Sequence, residues 1–174
     1  MGLRRSVNGA VAGGVAAALW AAQQPLDKRA FDSGYDDVEL LGKAVVGGDG
    51  WKPAGVAMHV ANGAAFGATY AQLRRFLPGP ALAQGPAIAL AEHFALWPLG
   101  TLVDRYHPRR KELTRLRGNR SAFWQAFYRH ALFGITMAVI EARLNADPEA
   151  DDPEPIPVSS NGHGDIRLAV GGAA

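Results

Sequence analysis

The chain has 174 residues, a formal net charge of +2 and no cysteine. The absence of cysteine excludes a disulfide framework, thiolate chemistry and cysteine-ligated zinc or iron–sulfur centres. The mean hydropathy of -0.04 hides a strong segregation, because charges crowd into residues 26–52, 104–120 and 147–167 and are nearly absent between them. Long stretches without charge, separated by charged loops, are typical of a membrane protein.

The first predicted span covers residues 7–24, an Ala/Gly/Val run without charge. Gly9 and Gly13 form a GxxxG pattern, which lets membrane helices approach closely, whereas so many glycines would weaken a helix in water. Pro25 and the charges after it are expected to end this helix. A cleaved signal peptide is the alternative for the same stretch, because two arginines precede it.

A short interfacial helix and a second span follow. Asp36 and Asp37 can cap a helix through DDVELLGKAVV, whose apolar residues share one face, so we expect it to lie along the membrane surface. The second span covers residues 53–73, begins with a proline in the favourable first turn, and carries another GxxxG pattern at Gly63 and Gly67.

The third span, residues 82–103, carries Glu92 and His93 at its centre and Pro98 near its end. Its strongly apolar residues contribute roughly -0.3 to -0.6 kcal/mol each, which together about balance the roughly 3 kcal/mol cost of one central ionised carboxylate. Glu92 is therefore expected to be neutral, paired or hydrated. Pro98 is expected to kink the helix.

The fourth span, residues 121–141, has Ser121 as its expected cap and places Arg129 and His130 near its middle. A charged side chain at this depth would have a high free energy in contact with lipid, so it must face the interior of a bundle. Arg129 is the natural partner for Glu92.

These segments predict an all-α fold, a four-helix transmembrane bundle with one interfacial helix. We assign residues 1–145 to this single membrane domain. Residues 146–174 are rich in Pro, Asp, Glu, Gly and Ser and too poor in large apolar residues to bury a core, so they are predicted to form a disordered tail.

Basic residues and tryptophans predict the sidedness of the bundle. Loops 25–52 and 104–120 share one side and carry most of the Lys and Arg, so the positive-inside rule places them in the cytoplasm. Trp20, Trp51 and two further tryptophans fall at the helix ends on that same side and are expected to form an interfacial belt. The Arg-rich loop favours anionic lipid head groups as partners rather than nucleic acid, because it lacks a recognisable nucleic-acid motif.

Several polar residues are predicted to share one depth within the bundle and to form a polar layer. The candidates are His59, Asn62, Glu92, His93, Arg129 and His130. Glu141 lies on the same face of the fourth helix as His130 and reaches toward the opposite membrane interface. Such residues either move protons or cations, or pair with one another to fix the helix register, and the sequence leaves both interpretations open.

No catalytic or metal-binding motif accompanies these residues, so we expect a protein that is not an enzyme and has no resident metal or cofactor. A b-type haem held by two facing histidines is the remaining cofactor alternative. A carboxylate di-metal site is disfavoured because the Glu-x-x-His repeats that build such sites are absent.

Three stretches, GVAMHVANGAAFGATYA (55–71), ALAEHFALWPLG (89–100) and RHALFGITMAVIEARL (129–144), resemble the small YagU-like inner-membrane proteins of bacteria. The resemblance covers about residues 55–144 and rests on His and Glu within Gly/Ala-rich spans. It implies a multi-pass protein of the bacterial inner membrane and carries over no catalytic residues.

The sequence thus predicts a multi-pass membrane protein that handles protons or cations through its polar layer. One alternative is a structural or assembly subunit that packs against itself or a partner through its glycine stripes. A haem-binding membrane protein and a water-soluble helical bundle remain further alternatives.

Overall fold

The computed structural model describes residues 2–146, which contain helices and turns and no strand. The predicted tail therefore lies, apart from Ala146, outside the described residues. The helices are α1 (Gly2–Ala30), α2 (Asp37–Val45), α3 (Trp51–Leu73), α4 (Ala81–Leu96), α5 (Gly100–Tyr106) and α6 (Arg120–Leu144).

Four long helices form the body, and their order around the bundle differs from their order in the chain. α1 packs along both α3 and α6, and α4 packs along α6. Although α3 and α4 are consecutive, they have almost no direct contact. The circuit α3–α1–α6–α4 is consequently open on one side, and a cleft separates α3 from α4.

The two ends of the bundle are distinct. At one end, here the terminal face, Gln72 near the end of α3 donates to Gly2 O and Ser6 Oγ of α1, and Asn8 donates to Leu144 O at the end of α6. The opposite end, here the loop face, carries the connections 31–50 and 97–119 together with α2 and α5. Successive long helices therefore run in alternating directions, as the loop pattern predicts.

The helix boundaries correct the sequence predictions at two ends. α1 continues through Pro25 to Ala30 instead of ending there, because Asp27 in the turn after the proline is held by buried partners on α6. Asn119, and not Ser121, caps α6 by accepting from Ala122 N. The expected cap at Asp36 and the break in helicity around Pro98 are both present.

Glycines bring the helix pairs into backbone contact. In α1, Gly9 and Gly13 lie against Gly67 and Gly63 of α3, so closely that a Cβ at any of them would collide with the opposing backbone or side chains. This arrangement places Gly63 and Gly67 in contacts within the chain, as the close helix approach predicted from the GxxxG patterns requires. Both GxxxG patterns are buried within the chain, because each glycine stripe fills the other's groove.

The distribution of polar and apolar residues is inverted relative to a water-soluble bundle. The most deeply buried large side chains include Arg129, Gln125 and Glu141. Val7, Val11 and other large apolar residues follow one exposed stripe of α1 at four-residue spacing: Leu3, Val7, Val11, Val15 and Leu19. Soluble monomers rarely expose so continuous an apolar surface.

Within residues 2–146, one helical stretch is both long and apolar enough to cross a membrane by itself. It runs from Ala81 to Tyr106, with a mean hydropathy of 1.2 over its best window. The structure thus supports an all-helical fold with one membrane-spanning candidate.

Candidate functional site

Each long helix contributes one ring to a continuous row of aromatic side chains, here the ring layer. The row consists of His59 of α3, Trp20 of α1, His130 of α6 and His93 of α4. Successive ring centroids are 5.0, 4.9 and 5.0 Å apart. The three histidines predicted to share one depth therefore lie close together, with Trp20 packed edge-on against two of them.

Arg129 lies just toward the loop face of this row and is completely buried. Its Nε and Nη2 donate to the two carboxylate oxygens of Asp27, with N–O distances of 2.7 and 2.5 Å, and its Nη1 donates to Asp37 at 2.7 Å. A bidentate pair of this kind fixes the orientation of the guanidinium. The prediction that Arg129 pairs with Glu92 is therefore wrong, because two carboxylates of the loop-face half occupy its donors.

Asp37 joins this ion-pair network to the ring layer. Its carboxylate accepts from Trp20 Nε1 at 3.2 Å and from the Tyr35 hydroxyl. Burial alone would raise the pKa of the Asp37 carboxyl, but Arg129 and then the Tyr35 hydroxyl outweigh burial and hold this pKa below its ordinary value. Asp37 is therefore a carboxylate that stays ionised next to the histidines.

The indole of Trp20 corrects the prediction of an interfacial tryptophan belt. Trp20 is buried inside the bundle, where its indole N–H donates a hydrogen bond to Asp37. Trp124, in contrast, is half exposed, and Trp51 and Trp97 are partly exposed. Three of the four tryptophans thus remain candidates for the interface.

Glu92 faces His130 and has no other charged partner within ion-pair distance among the described residues. Its Oε2 lies 3.8 Å from His130 Nε2. His130 Nδ1 lies 2.7 Å from the carbonyl oxygen of Ala126, and a carbonyl only accepts, so Nδ1 carries a hydrogen. Nε2 is therefore the ring nitrogen that can accept a hydrogen bond in the neutral imidazole, and it is the nitrogen that lies next to Glu92.

A cavity of about 380 Å³ occupies the cleft between α3 and α4. The ring layer and Glu92 line it, together with Asp37 and a majority of apolar side chains from α2, α4 and α5. The Nε2 atoms of His59 and His93 are buried and have no hydrogen-bond partner among residues 2–146. Asn62, the last predicted member of the polar layer, is exposed and lines the same cavity.

Glu141 belongs to a second, separate polar cluster at the terminal face. It is buried, pairs with Arg74 Nη1 at 2.5 Å and accepts from Asn145 Nδ2 at 2.9 Å. An apolar layer that includes Phe133 and Met137 lies between this cluster and His130. Because the eleven residues from His130 to Glu141 rise about 16 Å along α6, the two clusters are not in contact.

Sequence reasoning missed four contributors to these clusters: Asp27, Tyr35, Asp37 and Arg74. Asp27 was missed because the helix was expected to end at Pro25. One signal did mark it, since Gly13, Ala17, Trp20, Gln24 and Asp27 follow alternating four- and three-residue spacing on a single face of α1.

The geometry of the His93–His130 pair does not suit a haem held between these two histidines. Two imidazole nitrogens on opposite sides of one metal lie about 4 Å apart, and the ring centroids lie farther out still. The centroids of His93 and His130 are only 5.0 Å apart and the rings are tilted against each other, which leaves no room for a porphyrin. Among residues 2–146, no three His, Asp or Glu side chains are grouped as metal ligands.

Comparison with known proteins adds no identity to this geometry. No model of a known protein family, no curated protein and no solved structure matches the chain. The resemblance to YagU-like proteins therefore remains a prediction.

Proposed function

We propose that the chain is a multi-pass protein of the bacterial cytoplasmic membrane that binds and releases protons at the ring layer and Glu92, and that it is not an enzyme. In this proposal α1, α3, α4 together with α5, and α6 cross the bilayer. The inverted distribution of polar and apolar side chains supports the membrane location, because lipid favours an apolar exterior and buried charges are tolerated only inside a bundle.

The helix lengths agree with four spans. α1, α3 and α6 have 29, 23 and 25 residues, and the helical stretch 81–106 has 26. At 1.5 Å per residue each exceeds the roughly 30 Å thickness of the hydrocarbon core. Only the stretch 81–106 passes a hydropathy criterion for a membrane span among the described residues. The other three helices carry buried polar residues or many Ala and Gly, which lower their mean hydropathy.

The unbalanced charge around the ring layer is the observation that carries the proton-binding proposal. Asp27, Asp37 and Glu92 contribute three carboxylates there against the guanidinium of Arg129, while the neighbouring Asp36 is paired with Lys28. Uncompensated charge in a low-dielectric interior is costly. Protons on Glu92 or on the neighbouring histidines reduce this cost, and His130 Nε2 is placed to share one with Glu92.

Proton exchange in this proposal takes place from the loop-face side. An apolar layer around Phe133 and Met137, with the hydroxyl of Tyr70 in the same cluster, separates His130 from Glu141 over about 16 Å of α6. A continuous proton path through the bundle is therefore disfavoured, and a binding site that opens to one side and to the lipid is favoured. The broader prediction, that the protein moves protons or cations, is thereby restricted to proton binding and release at one side of the bundle.

The Arg-rich segment after α5 supports contact with anionic lipid head groups at the cytoplasmic interface. Asp104 accepts from the backbone N–H groups of Leu116 and Arg117, which folds this segment back against the bundle. Its basic side chains are exposed: Arg105, Arg109, Arg110, Lys111, Arg115 and Arg117. Each basic residue near an anionic membrane surface contributes about 1 kcal/mol of attraction.

Single-cysteine labelling tests the four spans. Because the chain has no native cysteine, any label must be on the introduced residue. In spheroplasts, an impermeant maleimide should leave Asp49→Cys and Arg110→Cys unlabelled until the cells are lysed and should label Pro78→Cys at once. The buried Ala16→Cys serves as the negative control. Release of the protein by carbonate, or labelling of both faces in intact cells, would contradict the proposal.

Infrared difference spectroscopy tests proton binding directly. A pH change applied to the protein in lipid nanodiscs should give a protonated-carboxyl band that disappears in Glu92→Gln. Glu141→Gln, at the charge-matched terminal cluster, is the control and should keep the band. A band that persists in Glu92→Gln, or no band at all, would overturn the assignment of proton exchange to Glu92.

A further inference from the structure

We propose that the cavity between α3 and α4 binds a flat aromatic organic cation that arrives sideways from the membrane, and that one proton leaves the Glu92–His130 pair for each cation bound. This inference rests on the proposed function, because it assigns a ligand class to the proton-binding site.

The open side of the bundle provides the entrance. Consecutive helices with a short connection normally pack against each other, yet α3 and α4 have almost no direct contact. Asn62 of α3 and Leu96 of α4 are exposed and both line the cavity, so they form its rims. In a bilayer this gap faces the acyl chains, which are the source of an amphipathic ligand.

The walls of the cavity suit an aromatic cation. Trp20 and Trp97 offer ring surfaces to a positive charge, a contact that strengthens when water is excluded. Most of the remaining lining is apolar and few polar groups converge, which is typical of small-molecule sites. The volume of about 380 Å³ lies within the range of such pockets, roughly 300 to 1,000 Å³, and limits the ligand to a small molecule.

The charges around Glu92 favour a cation over a neutral ligand. His130 of α6 lies against it, while His59 of α3, His93 of its own helix and the uncharged Trp20 of α1 line the same cavity. The carboxylate of Asp37 also lines the cavity, but Nη1 of Arg129 already donates to it. The carboxylate of Glu92 is therefore left without a permanent cation, and a bound organic cation supplies one.

The exchange balances in charge and atoms. When the cation is absent, the Glu92–His130 pair holds a proton, either on the carboxyl or on His130 Nε2. When the cation binds, its charge takes the place of that proton, which leaves through the loop-face side. The Nε2 atoms of His59 and His93 are buried without a hydrogen-bond partner in the described part of the chain, and they remain available to polar groups of the ligand.

Binding of 1-methyl-4-phenylpyridinium to the full chain in nanodiscs tests the proposal, with empty nanodiscs as the background. We expect saturable binding, a release of about one proton per bound cation in weakly buffered medium, and weaker binding as the pH falls. The neutral isostere 4-methylbiphenyl, in excess, should compete at least tenfold less well, because it cannot replace the charge.

Two variants locate the site. Glu92→Gln should lower the affinity for the cation at least tenfold and abolish proton release. Leu96→Trp narrows the entrance and should lower the affinity at least fivefold while the carboxyl band of Glu92 persists. Leu82→Trp, on an exposed part of α4 outside the cavity, is the matched control and should bind normally. The helical content and melting temperature of each variant verify the fold.

The outcomes separate this inference from the proposed function. If Glu92 titrates by infrared spectroscopy but the cation does not bind saturably, or binds equally to Glu92→Gln, the ligand assignment is wrong and proton binding stands. If the neutral isostere competes as well as the cation, the cavity is an apolar site and the inference fails. If Glu92 does not titrate at all, both proposals fail.

Discussion

The two halves of the bundle use buried charge in opposite ways. At the terminal face, one carboxylate, Glu141, meets one guanidinium, Arg74, and Asn145 completes its hydrogen bonds. At the loop face, the two carboxylates of Asp27 and Asp37 share Arg129, and two histidine nitrogens beside a cavity have no hydrogen-bond partner among the described residues. The first arrangement is balanced in charge, whereas the second has an excess of negative charge and lines the cavity between α3 and α4.

This difference separates a structural role from a functional one. A buried ion pair with all its hydrogen bonds satisfied holds helices in register and needs no further partner. Excess charge with unpartnered donors and acceptors is costly to maintain, and such groups are functional candidates by default. The loop-face half is accordingly where we place proton and ligand binding.

Removing Arg129 should have the largest effect. Arg129→Met leaves Asp27 and Asp37 buried without a counter-charge, and breaking a buried ion pair in this way costs about 3 to 5 kcal/mol. Unfolding in detergent, monitored by circular dichroism, measures the decrease in the free energy of unfolding. Arg143→Met, on an exposed position of the same helix, should change the stability little. An equally small loss for Arg129→Met would mean that Asp27 and Asp37 are not the charges it neutralises.

The close contact between α1 and α3 should give the next largest effect. Gly13→Ala and Gly14→Ala gain the same helix propensity, about 1 kcal/mol, but only the Cβ at position 13 collides with the backbone of Gly63. At Gly14 the nearest atoms lie 3.8 Å from the added Cβ. We expect Gly13→Ala to lower the free energy of unfolding by about 1 to 3 kcal/mol and Gly14→Ala to leave it unchanged or raise it.

Equal stabilities of the two alanine variants would show that α1 and α3 are not in backbone contact at this depth. The pair therefore tests the packing independently of any function.

Neutralising one carboxylate in each half should change stability in opposite directions. Glu141→Gln weakens a satisfied ion pair and should cost about 1 kcal/mol. Glu92→Gln removes part of the excess negative charge and should leave the free energy of unfolding unchanged or raise it. Chemical denaturation of both variants at neutral pH makes the comparison. A larger loss for Glu92→Gln than for Glu141→Gln would reverse our assignment of the two halves.

The smallest effect concerns pH. Because the folded-state pKa of Asp37 lies below its ordinary value of 3.8, this group stabilises the fold above that value, and the contribution is lost as the pH falls further. The difference in free energy of unfolding between wild type and Asp37→Asn should therefore shrink as the pH falls below 3.8. A difference that stays constant with pH for Asp37→Asn would contradict this role.

The local features of the fold were predictable where the signal lies within a few residues. The four long helices, the short helix capped by Asp36 and the break near Pro98 follow from apolar runs, capping residues and proline. The three histidines were predicted at one depth by counting from the helix ends. These inferences depend on helix geometry alone, which is the same in every protein.

The pairing of side chains between different helices could not be predicted in this way. The sequence suggested Glu92 for Arg129, because both residues lie at a similar depth, whereas Arg129 binds Asp27 and Asp37. Likewise Pro25 suggested a helix end, and tertiary contacts of Asp27 carry α1 beyond it. Depth along a helix is encoded locally, but the direction that a side chain faces depends on which helices are neighbours.

The sequence by itself determined the helical class, the alternation of helix directions and the glycine stripes, because each arises from residue spacing along one helix. Only the tertiary structure decided that α3 and α4 stay apart, that the glycine stripes are buried against each other and that the polar residues form two unequal clusters. The physical reason is that helix order and rotation are set by the sum of many packing contacts between distant segments. The cleft beside Glu92 is a product of that order.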